Sequence, residues 1–313
     1  MTAAAATFKI GTRGSALALV QAEAVAAPLR AQGVRVEIVP VRTEGDRLLE
    51  ARLAEVGGKG LFVRELEQML LAGSLDCAVH SLKDLPADLP AGLMLAAFPE
   101  RADPRDVLVA RERARFEELR PGAVLGTSSP RRRALALALR PDLVVEPIRG
   151  NVDTRLRKLE SGSFDGVLLA AAGLARLGVT AAHVQPLDPE VFVPAVGQGV
   201  LAIEARADDR RAGALLERLD HAATRACALA ERACLRRLGA SCNSPMAAYA
   251  VVAADALRMT ALVASEDGRK VLRGSATASA AAPEGLGRRL ADSLLEQGAA
   301  LVTALRPEAR WPA

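Results

Sequence analysis

Two successive series of short apolar runs, each alternating with helical patterns, constrain this chain most strongly. In the first series, apolar runs at 8–10, 34–41 and 76–79 alternate with helical patterns that start at Ser15 and end at Leu71. Runs of this length separated by helices predict β-α-β units. We therefore expect a mostly parallel sheet covered by helices on both faces.

The same alternation begins again after Arg101. Apolar runs and helical patterns then follow one another at 106–110, 124–126, after Pro130, at 144–148, after Asn151 and at 166–170. This second series predicts a second α/β lobe. The stretch 194–199 contains one proline and two glycines, so the apolar run 199–205 is expected to return the chain to the first lobe.

A smaller α+β unit is predicted after Thr224. A helix ending at Gly239 is followed by strand-like runs at 246–252 and 257–263, an alanine-rich stretch at 276–282 that we expect to form a turn, and a helix at 286–295. A chain of 313 residues is too long for one small core. The predicted domains are 1–100 with 199–219, 101–198, and 220–313.

Charge and composition exclude several functional classes. Lys and Arg total 41 against 37 for Asp and Glu, and aromatic residues are only 3% of the chain. A net charge of +4 and few rings for base stacking argue against nucleic-acid binding, although a pI near 9.1 keeps it as an alternative. Four cysteines without a CxxC pair and three dispersed histidines predict neither a metal site nor a disulfide framework.

The sequence also predicts a location. The N-terminal segment lacks a basic region followed by a long apolar run, and no apolar stretch approaches the length of a membrane span. We therefore expect a cytoplasmic protein that does not bind a membrane.

Two loops with matching chemistry predict anion binding. Residues 11–15 (Gly-Thr-Arg-Gly-Ser) and 126–132 (Gly-Thr-Ser-Ser-Pro-Arg-Arg) each follow a strand and open a helix, with Ser129 as N-cap and Pro130 as first helical residue. Free backbone N–H groups and arginines at such helix starts suit carboxylates or phosphates. Simple helix capping is the structural alternative for each loop alone.

Further cations follow in the second lobe. Arg149, Arg155 and Arg176 lie near strand ends and are expected to converge on the same edge of the sheet. For Arg140, Arg157 and Lys158 a solvated helix face is the favoured interpretation.

Three other features suggest chemistry. The glycine loop around Lys59 lacks the spacing of a nucleotide P-loop and is expected to act as a lid. Asp84 follows a strand beside Lys83 and could stabilise a cation, although a surface ion pair is the alternative. Cys242 lies in a loop of small residues, where its thiolate could be a nucleophile or an attachment point. The alternative for this cysteine is a small apolar side chain. Cys77, Cys227 and Cys234 lie within regular elements and are predicted to be structural.

Several motifs together carry a family resemblance. They are Gly11–Ser15, Val56–Phe62, Ala78–Pro86, Gly126–Ser129, Arg149–Asn151 and Pro194–Gly199. In this order and spacing they resemble the porphobilinogen deaminase (hydroxymethylbilane synthase) family over nearly the whole chain. The resemblance implies two lobes like those of periplasmic binding proteins, and a third, small domain with the cofactor cysteine.

The resemblance also implies an activity and a cofactor. A dipyrromethane, made from the substrate, is attached by a thioether to Cys242, and no metal or nucleotide is expected. Four porphobilinogen molecules are added in turn, each losing ammonia to give an azafulvene-type electrophile, and water releases hydroxymethylbilane. Such a transferase serves tetrapyrrole, porphyrin and heme biosynthesis. A monomer is expected, with uroporphyrinogen III synthase as a possible partner.

By resemblance, Asp84 is the catalytic aspartate, Lys59 belongs to the lid, and Gln198 lies at the crossover between lobes. Residues implied to bind cofactor or substrate carboxylates are Arg13, Ser15, Lys83, Thr127, Ser129, Arg131, Arg132, Arg149, Arg155 and Arg176, with Arg131 and Arg132 most important for cofactor loading. The chain departs from the common family pattern at Glu55, Pro130, Ser241 and Asn243, none of which removes a catalytic group. A noncatalytic bilobal anion-binding protein is the main alternative, because a fold alone does not determine activity.

Overall fold

A computed structural model describes residues 7–41, 63–241, 243–254 and 256–305. The chain divides into two compact units. The first comprises Met1–Arg101 and Val200–Arg225, and the second comprises Ala102–Gly199 and Ala226–Ala313.

The described residues form strands and helices that alternate along most of the chain. In chain order they are β1 (Phe8–Arg13), α1 (Ala16–Ala31), β2 (Val36–Val41), α2 (Arg64–Leu71), β3 (Cys77–Ser81), β4 (Leu93–Ala97), β5 (Asp106–Ala110), β6 (Val124–Gly126), α3 (Pro130–Leu139), β7 (Val144–Glu146), α4 (Val152–Glu160), β8 (Gly166–Ala170), α5 (Ala171–Leu177), β9 (Val184–Pro186), β10 (Leu201–Arg206), α6 (Arg210–Leu216), α7 (Ala222–Leu238), β11 (Met246–Ala253), β12 (Ala256–Ala264), β13 (Val271–Ser279), α8 (Pro283–Glu296) and α9 (Ala299–Val302).

The sheet of the first unit has the strand order β2-β1-β3-β10-β4 within the described residues. Strand β1 pairs in parallel with β2 and β3, whereas β10 runs antiparallel to both β3 and β4. Leu29 of α1 belongs to a buried cluster on one face of this sheet, and Leu66 and Leu70 of α2 belong to a cluster on the other. Burial of both faces explains the short, continuous apolar runs of the sequence.

The sheet of the second unit repeats this arrangement with the order β7-β6-β8-β5-β9 among the residues described. Strand β6 is parallel to β7 and β8, and β5 is antiparallel to β8 and β9. Two α/β lobes were predicted, and this α/β class is confirmed. The expectation of mostly parallel sheets is correct only for three strands of each sheet, because apolar periodicity does not encode strand direction.

The C-terminal strands β11, β12 and β13 form an antiparallel sheet. The predicted turn at 276–282 is wrong for residues 276–279, which belong to β13 and alternate between exposed and half-buried positions. Small Ala, Ser and Thr side chains gave this half-exposed strand a weak apolar signal. Ala247 and Leu262 of this sheet join the same buried cluster as Leu108 of β5.

Two close contacts hold α7 in the second unit. A Cβ atom on Gly287 of α8 would lie 2.1 Å from the backbone oxygen of Ala230, so only glycine allows this approach. The buried Glu231 carboxylate accepts hydrogen bonds from the backbone N–H groups of Gly197 at 2.6 Å and Ala250 at 2.8 Å. This carboxylate therefore joins the segment before β10 to the C-terminal sheet.

Side-chain caps begin helices α1, α3 and α4, and Asp209 caps α6. The Ser15 hydroxyl accepts a hydrogen bond from Ala18 N at the start of α1, and Ser129 and Asn151 cap α3 and α4 in the same way. The predicted N-cap at Ser129 and first helical residue at Pro130 are confirmed. Helices α1 and α3 thus begin just beyond the carboxyl ends of β1 and β6, where the helix dipole favours anions.

Candidate active site

In the first unit, the carboxyl ends of β1 and β3 lie at the same sheet edge because these strands are parallel neighbours. A pocket of about 60 Å³ opens there. Its lining residues are Arg13, Ser15, Leu17, Ala18, Gln21, Val63, Val79, His80, Ser81 and Asp84. This pocket, called the Asp84 pocket below, combines a guanidinium group, a helix N-terminus and a carboxylate.

A short 3-10 turn presents Asp84 to solvent. The turn covers Leu82–Asp84 and directly follows β3. Leu82 and Leu85 are buried on either side, and Leu82 N–H donates a hydrogen bond to the Val200 carbonyl at 3.0 Å. Because these anchors fix the backbone, the Asp84 carboxylate is held exposed at the pocket. Lys83 lies in the same turn and is half-buried, but it is not among the residues that line the pocket.

Hydrogen bonds fix the wall of the Asp84 pocket. The Gln21 amide donates to Ser81 Oγ at 2.9 Å, which connects α1 with the end of β3. The buried Thr12 hydroxyl donates to the Ala18 carbonyl at 3.1 Å. Arg13 and Ser15 therefore extend from a backbone that is fixed before any ligand binds.

Buried ionisable side chains lie next to this pocket. His80 Nε2 is 3.0 Å from Glu204 Oε2, and both side chains are almost fully buried. Burial raises the pKa of nearby Glu67, and the Glu204 charge raises it further, whereas His80 and Arg64 act in the opposite direction. Titratable groups of β3, β10 and α2 thus interact in the first unit.

In the second unit, Asp106 contacts two of the arginines that were predicted to bind anions. Asp106 starts β5, and the antiparallel register pairs it with Ala170 at the carboxyl end of β8. Its fully buried carboxylate contacts Arg131 and Arg132, whose side chains are also buried. These three side chains form the cluster called the Asp106 cluster below.

The contacts within the Asp106 cluster are short. Arg131 donates from Nη1 to Asp106 Oδ2 at 2.6 Å and from Nη2 to Oδ1 at 3.1 Å. Arg132 Nε donates to Oδ1 at 2.8 Å. Gln198 adds a bond from Nε2 to Oδ1 at 3.1 Å and another to the Pro104 carbonyl at 2.7 Å. One carboxylate therefore orients two guanidinium groups and the predicted crossover glutamine.

The electrostatic environment of the Asp106 cluster favours the ionised form of the Asp106 carboxyl group. Burial alone would raise the pKa of Asp106, but the Arg131 and Arg132 guanidinium groups outweigh it and hold that pKa well below its ordinary value. Burial lowers the pKa of Arg132, and the Asp106 charge partly offsets this effect. Two cations and one anion leave the cluster with net positive charge, which suits a further carboxylate.

Other predicted binding residues of the second unit lie around the same sheet edge. Arg155 donates from Nε to the Gly150 carbonyl at 2.9 Å, and its pKa is lowered by burial and then by the charge of Arg132. Arg176 donates to the Gly199 carbonyl at 2.8 Å, and burial lowers its pKa. Arg149 is exposed. Arg155 is thus close enough to Arg132 for their charges to interact.

The loop before α3 also carries predicted residues. Thr127 is buried and its hydroxyl accepts a hydrogen bond from Ser129 N at 3.2 Å. Ser129 uses its own hydroxyl as the cap of α3. Both side chains therefore shape the loop that begins the helix bearing Arg131 and Arg132.

Two models of one protein family match most of this chain. Residues 8–214 match the family model "Porphobilinogen deaminase, dipyromethane cofactor binding domain", and residues 225–296 match "Porphobilinogen deaminase, C-terminal domain". The chain belongs to the porphobilinogen deaminase family. The noncatalytic anion-binding alternative is accordingly not favoured.

Relatives in the porphobilinogen deaminase family match almost the full chain. A porphobilinogen deaminase of Desulforudis audaxviator is 51% identical over 94% of this chain and 96% of its own. Those of Brevibacillus brevis and Chromobacterium violaceum are 47% and 48% identical, over 95% and 96% of this chain and 96% and 98% of theirs.

Solved structures give weaker similarities. An ancestral cationic amino acid solute-binding protein has a TM-score of 0.43 at 15% identity, covering 68% of this chain and 87% of its own. A periplasmic substrate-binding protein from Coxiella burnetii has a TM-score of 0.42 at 14% identity, covering 68% of this chain and 91% of its own. Similarity at this level carries no argument about function.

Some residues predicted from the family pattern lie outside the described residues. They are Cys242, Lys59 and Glu55. The neighbours of Cys242 are described: Ser241 N donates to Ser244 Oγ at 3.1 Å, and Asn243 N donates to Ser241 Oγ at 3.3 Å.

Sequence reasoning missed Asp106 and Glu204 as members of these sites. Each lies in an apolar run that reads as a buried strand. A single acid within such a run is the signal that could have identified both, because a buried carboxylate requires a cationic partner.

Residues 7–41, 63–241, 243–254 and 256–305 offer neither a cluster of metal ligands nor a helix that could cross a membrane. No group of three or more His, Cys, Asp and Glu side chains in those residues could hold a metal ion. None of the helices described there combines the length and apolar character needed to span a bilayer.

Proposed function

We propose that this porphobilinogen deaminase family member condenses four porphobilinogen molecules head to tail on a dipyrromethane attached to Cys242, releases one ammonia at each addition, and hydrolyses the product to hydroxymethylbilane. One observation carries the assignment of Asp84: its carboxylate shares a pocket with Arg13 and the capped start of α1. Porphobilinogen offers the complementary groups, namely two carboxylates, a pyrrole N–H and an amine that leaves.

Different residues of the Asp84 pocket bind different groups of porphobilinogen. Arg13 and the α1 N-terminus bind a substrate carboxylate. Asp84 accepts the pyrrole N–H and balances the positive charge that develops as the amine leaves. Because the carboxylate is held by buried anchors on both sides, it needs little rearrangement during reaction.

The Asp106 cluster fits a cofactor that carries several carboxylates. Among the described residues, the buried Nε of Arg131 donates no hydrogen bond, so this guanidinium retains a donor for a ligand. When bound, the dipyrromethane supplies the free pyrrole end to which substrate is joined. Residues proposed to bind carboxylates of the cofactor or the growing chain are Lys83, Thr127, Ser129, Arg131, Arg132, Arg149, Arg155 and Arg176.

We also propose a domain organisation, a location and a partner for this protein. Three domains with the boundaries 1–100 with 199–219, 101–198 and 220–313 are proposed, and the separate family matches to 8–214 and 225–296 support only the division before the third domain. Gln198 is proposed to support the crossover, and Lys59 to act in a lid. We also propose that the enzyme is a cytoplasmic monomer whose product passes to uroporphyrinogen III synthase.

Intact mass tests cofactor attachment. The denatured protein should exceed its sequence mass by two linked pyrrole units, and the excess should be absent in Cys242→Ala. Cys227→Ala is a matched control, because Cys227 is buried in α7 and should leave the excess unchanged. An active wild type without added mass would contradict the proposal.

Ammonia release from porphobilinogen tests Asp84. Asp84→Asn keeps the size of the side chain but removes its charge, so the variant should retain the cofactor and lose most turnover. Asp88→Asn is a control at a nearby exposed acid. Near-normal ammonia release by Asp84→Asn would exclude the charge-balancing role.

A further inference from the structure

The proposed function leaves one buried pair beside the Asp84 pocket without a role. His80 lines this pocket, and its Nε2 lies 3.0 Å from Glu204 Oε2. The exposed fractions of the two side chains are 4% and 0%. Burial of such a pair usually costs more stability than its attraction returns, so its position next to a reaction site calls for a chemical explanation.

The strand register explains why these side chains meet. His80 of β3 pairs with Ala202 of β10, and Ala78 pairs with Glu204. His80 and Glu204 are therefore diagonal neighbours on one face of the sheet. Their approach results from the backbone arrangement and does not depend on a mobile loop.

The Glu204 carboxylate has unused capacity to accept hydrogen bonds. Within the described residues, neither of its oxygens has a partner with hydrogen-bond geometry, although His80 Nε2 is close to Oε2. Buried carboxylate oxygens are normally paired. A small rotation of the imidazole would give Glu204 a charge-assisted bond, which favours a ring that carries a proton at Nε2.

The other charged groups around His80 come from several elements. Glu67 of α2 interacts electrostatically with His80, with Glu204 and with Arg64, and Arg13 of β1 and Asp84 line the same pocket as His80. The pKa of Glu67 is raised by burial and by the Glu204 charge. Glu204 is the carboxylate in direct contact with His80, at 3.0 Å.

We propose that His80 is the proton-transfer residue of the Asp84 pocket and that Glu204 is its positioning residue, an inference that rests on the proposed function. Each addition breaks one C–N bond of substrate, forms one C–C bond and breaks one ring C–H bond. The C–H electron pair stays in the ring. His80 accepts the proton at Nδ1, since Nε2 faces Glu204, and passes it to the released ammonia, which leaves as ammonium.

Asp84 and His80 thus have different roles in each addition. Asp84 balances the developing cation, and His80 carries the proton from the ring carbon to the ammonia. The carboxylate of Glu204 stabilises the imidazolium that forms, as acids that orient catalytic histidines do.

The test measures ammonia release as a function of pH and of porphobilinogen concentration for wild type, His80→Gln and Glu204→Gln. His80→Gln should lower kcat by about 100-fold or more with little change in KM, because positioned proton transfer contributes on this scale. Glu204→Gln should lower kcat with little change in KM, because the imidazole loses the carboxylate that orients it. His183→Gln is the matched control, because His183 lies in the second unit without an assigned role.

A second measurement uses porphobilinogen with deuterium on its free ring carbon. If His80 removes this proton, the kinetic isotope effect should be larger in His80→Gln than in wild type. Circular dichroism and intact mass establish that each variant is folded and carries the dipyrromethane. If His80→Gln does not fold, the kcat and KM of Glu204→Gln decide between the outcomes.

Several outcomes would overturn the inference. A folded, cofactor-loaded His80→Gln with wild-type kcat and pH profile would do so, and so would a folded variant that fails to carry cofactor. An unchanged kcat in Glu204→Gln would remove the role of that residue. Failure of the proposed function is distinguishable, because then the wild type itself would release no ammonia from porphobilinogen.

Discussion

Substitution of Asp106 by Asn tests whether the charge of Asp106 stabilises the second unit. Asn has the same size as Asp but keeps only one acceptor oxygen and no charge. If its oxygen stays with Arg132, its NH₂ group replaces Oδ2 and faces Arg131 Nη1, which now lies 2.6 Å from Oδ2. The substitution therefore creates a donor-donor contact and leaves two buried guanidinium groups without a counter-charge.

The expected loss in the free energy of unfolding follows from these lost contacts. A hydrogen bond between charged groups contributes about 1.5–3 kcal/mol, and removing one partner of a buried ion pair costs about 3–5 kcal/mol in all. We expect the latter loss in the free energy of unfolding for Asp106→Asn. For a unit of this size, that corresponds to a decrease in Tm of about 6–20 °C.

The assay is thermal and urea unfolding followed by circular dichroism. Asp142→Asn is the matched control, because Asp142 pairs with Arg140 at 2.6 Å on the surface, where ion pairs contribute little. Replacing Arg131 by Met in the Asp106→Asn background should restore part of the stability, since it removes one uncompensated charge. Equal stability of Asp106→Asn and Asp142→Asn would refute the reasoning.

The decrease of the unfolding free energy at acidic pH provides a second test of the Asp106 cluster. Because pairing with arginine lowers the folded-state pKa of Asp106, its stabilisation is present above the pKa of an unfolded aspartate, about 3.9. It is lost as the pH falls from there towards the lower folded-state pKa. The unfolding free energy of wild type should therefore decrease more steeply below about pH 4 than that of Asp106→Asn. Parallel acid limbs would contradict this contribution.

Two further substitutions probe backbone contacts. Glu231→Gln should lower the unfolding free energy by about 1–3 kcal/mol in urea, because one of two backbone N–H groups bound by the carboxylate would face an NH₂ group. Gly199→Ala should cost at least about 1–2 kcal/mol, since φ is +86° and the new Cβ would lie 2.4 Å from the Ala102 oxygen. Gly213→Ala, in open space within α6, should instead stabilise, and the opposite order of the two glycine variants would contradict the steric argument.

Elements with a strong local signal were predictable from the sequence. Ser129 and Pro130 specify the start of α3 because capping and a fixed φ act within a few residues. The continuous apolar run at 166–170 likewise specifies the buried strand β8. Such positions depend little on the rest of the chain.

The antiparallel strands and the buried acids were not predictable in this way. Asp106 reaches the site edge only because β5 runs opposite to β8, and that direction depends on contacts distant in sequence. Strand β13 was missed because its half-exposed Ala and Ser residues lack an apolar pattern. The role of Arg131 likewise depends on a partner 25 residues away.

The position of β10 has a consequence for synthesis on the ribosome. This strand lies between β3 and β4 in the first sheet, yet it follows β4 only after the inserted segment Ala102–Gly199. At about 5–20 residues per second, roughly 100 residues take about 5–20 s to translate. Throughout that interval β3 lacks a hydrogen-bonding neighbour on one side and β4 lacks its partner in the sheet. Nascent chains stalled just before residue 201 should therefore be captured by chaperones that bind unpaired strands, and those stalled after β10 has emerged should be released.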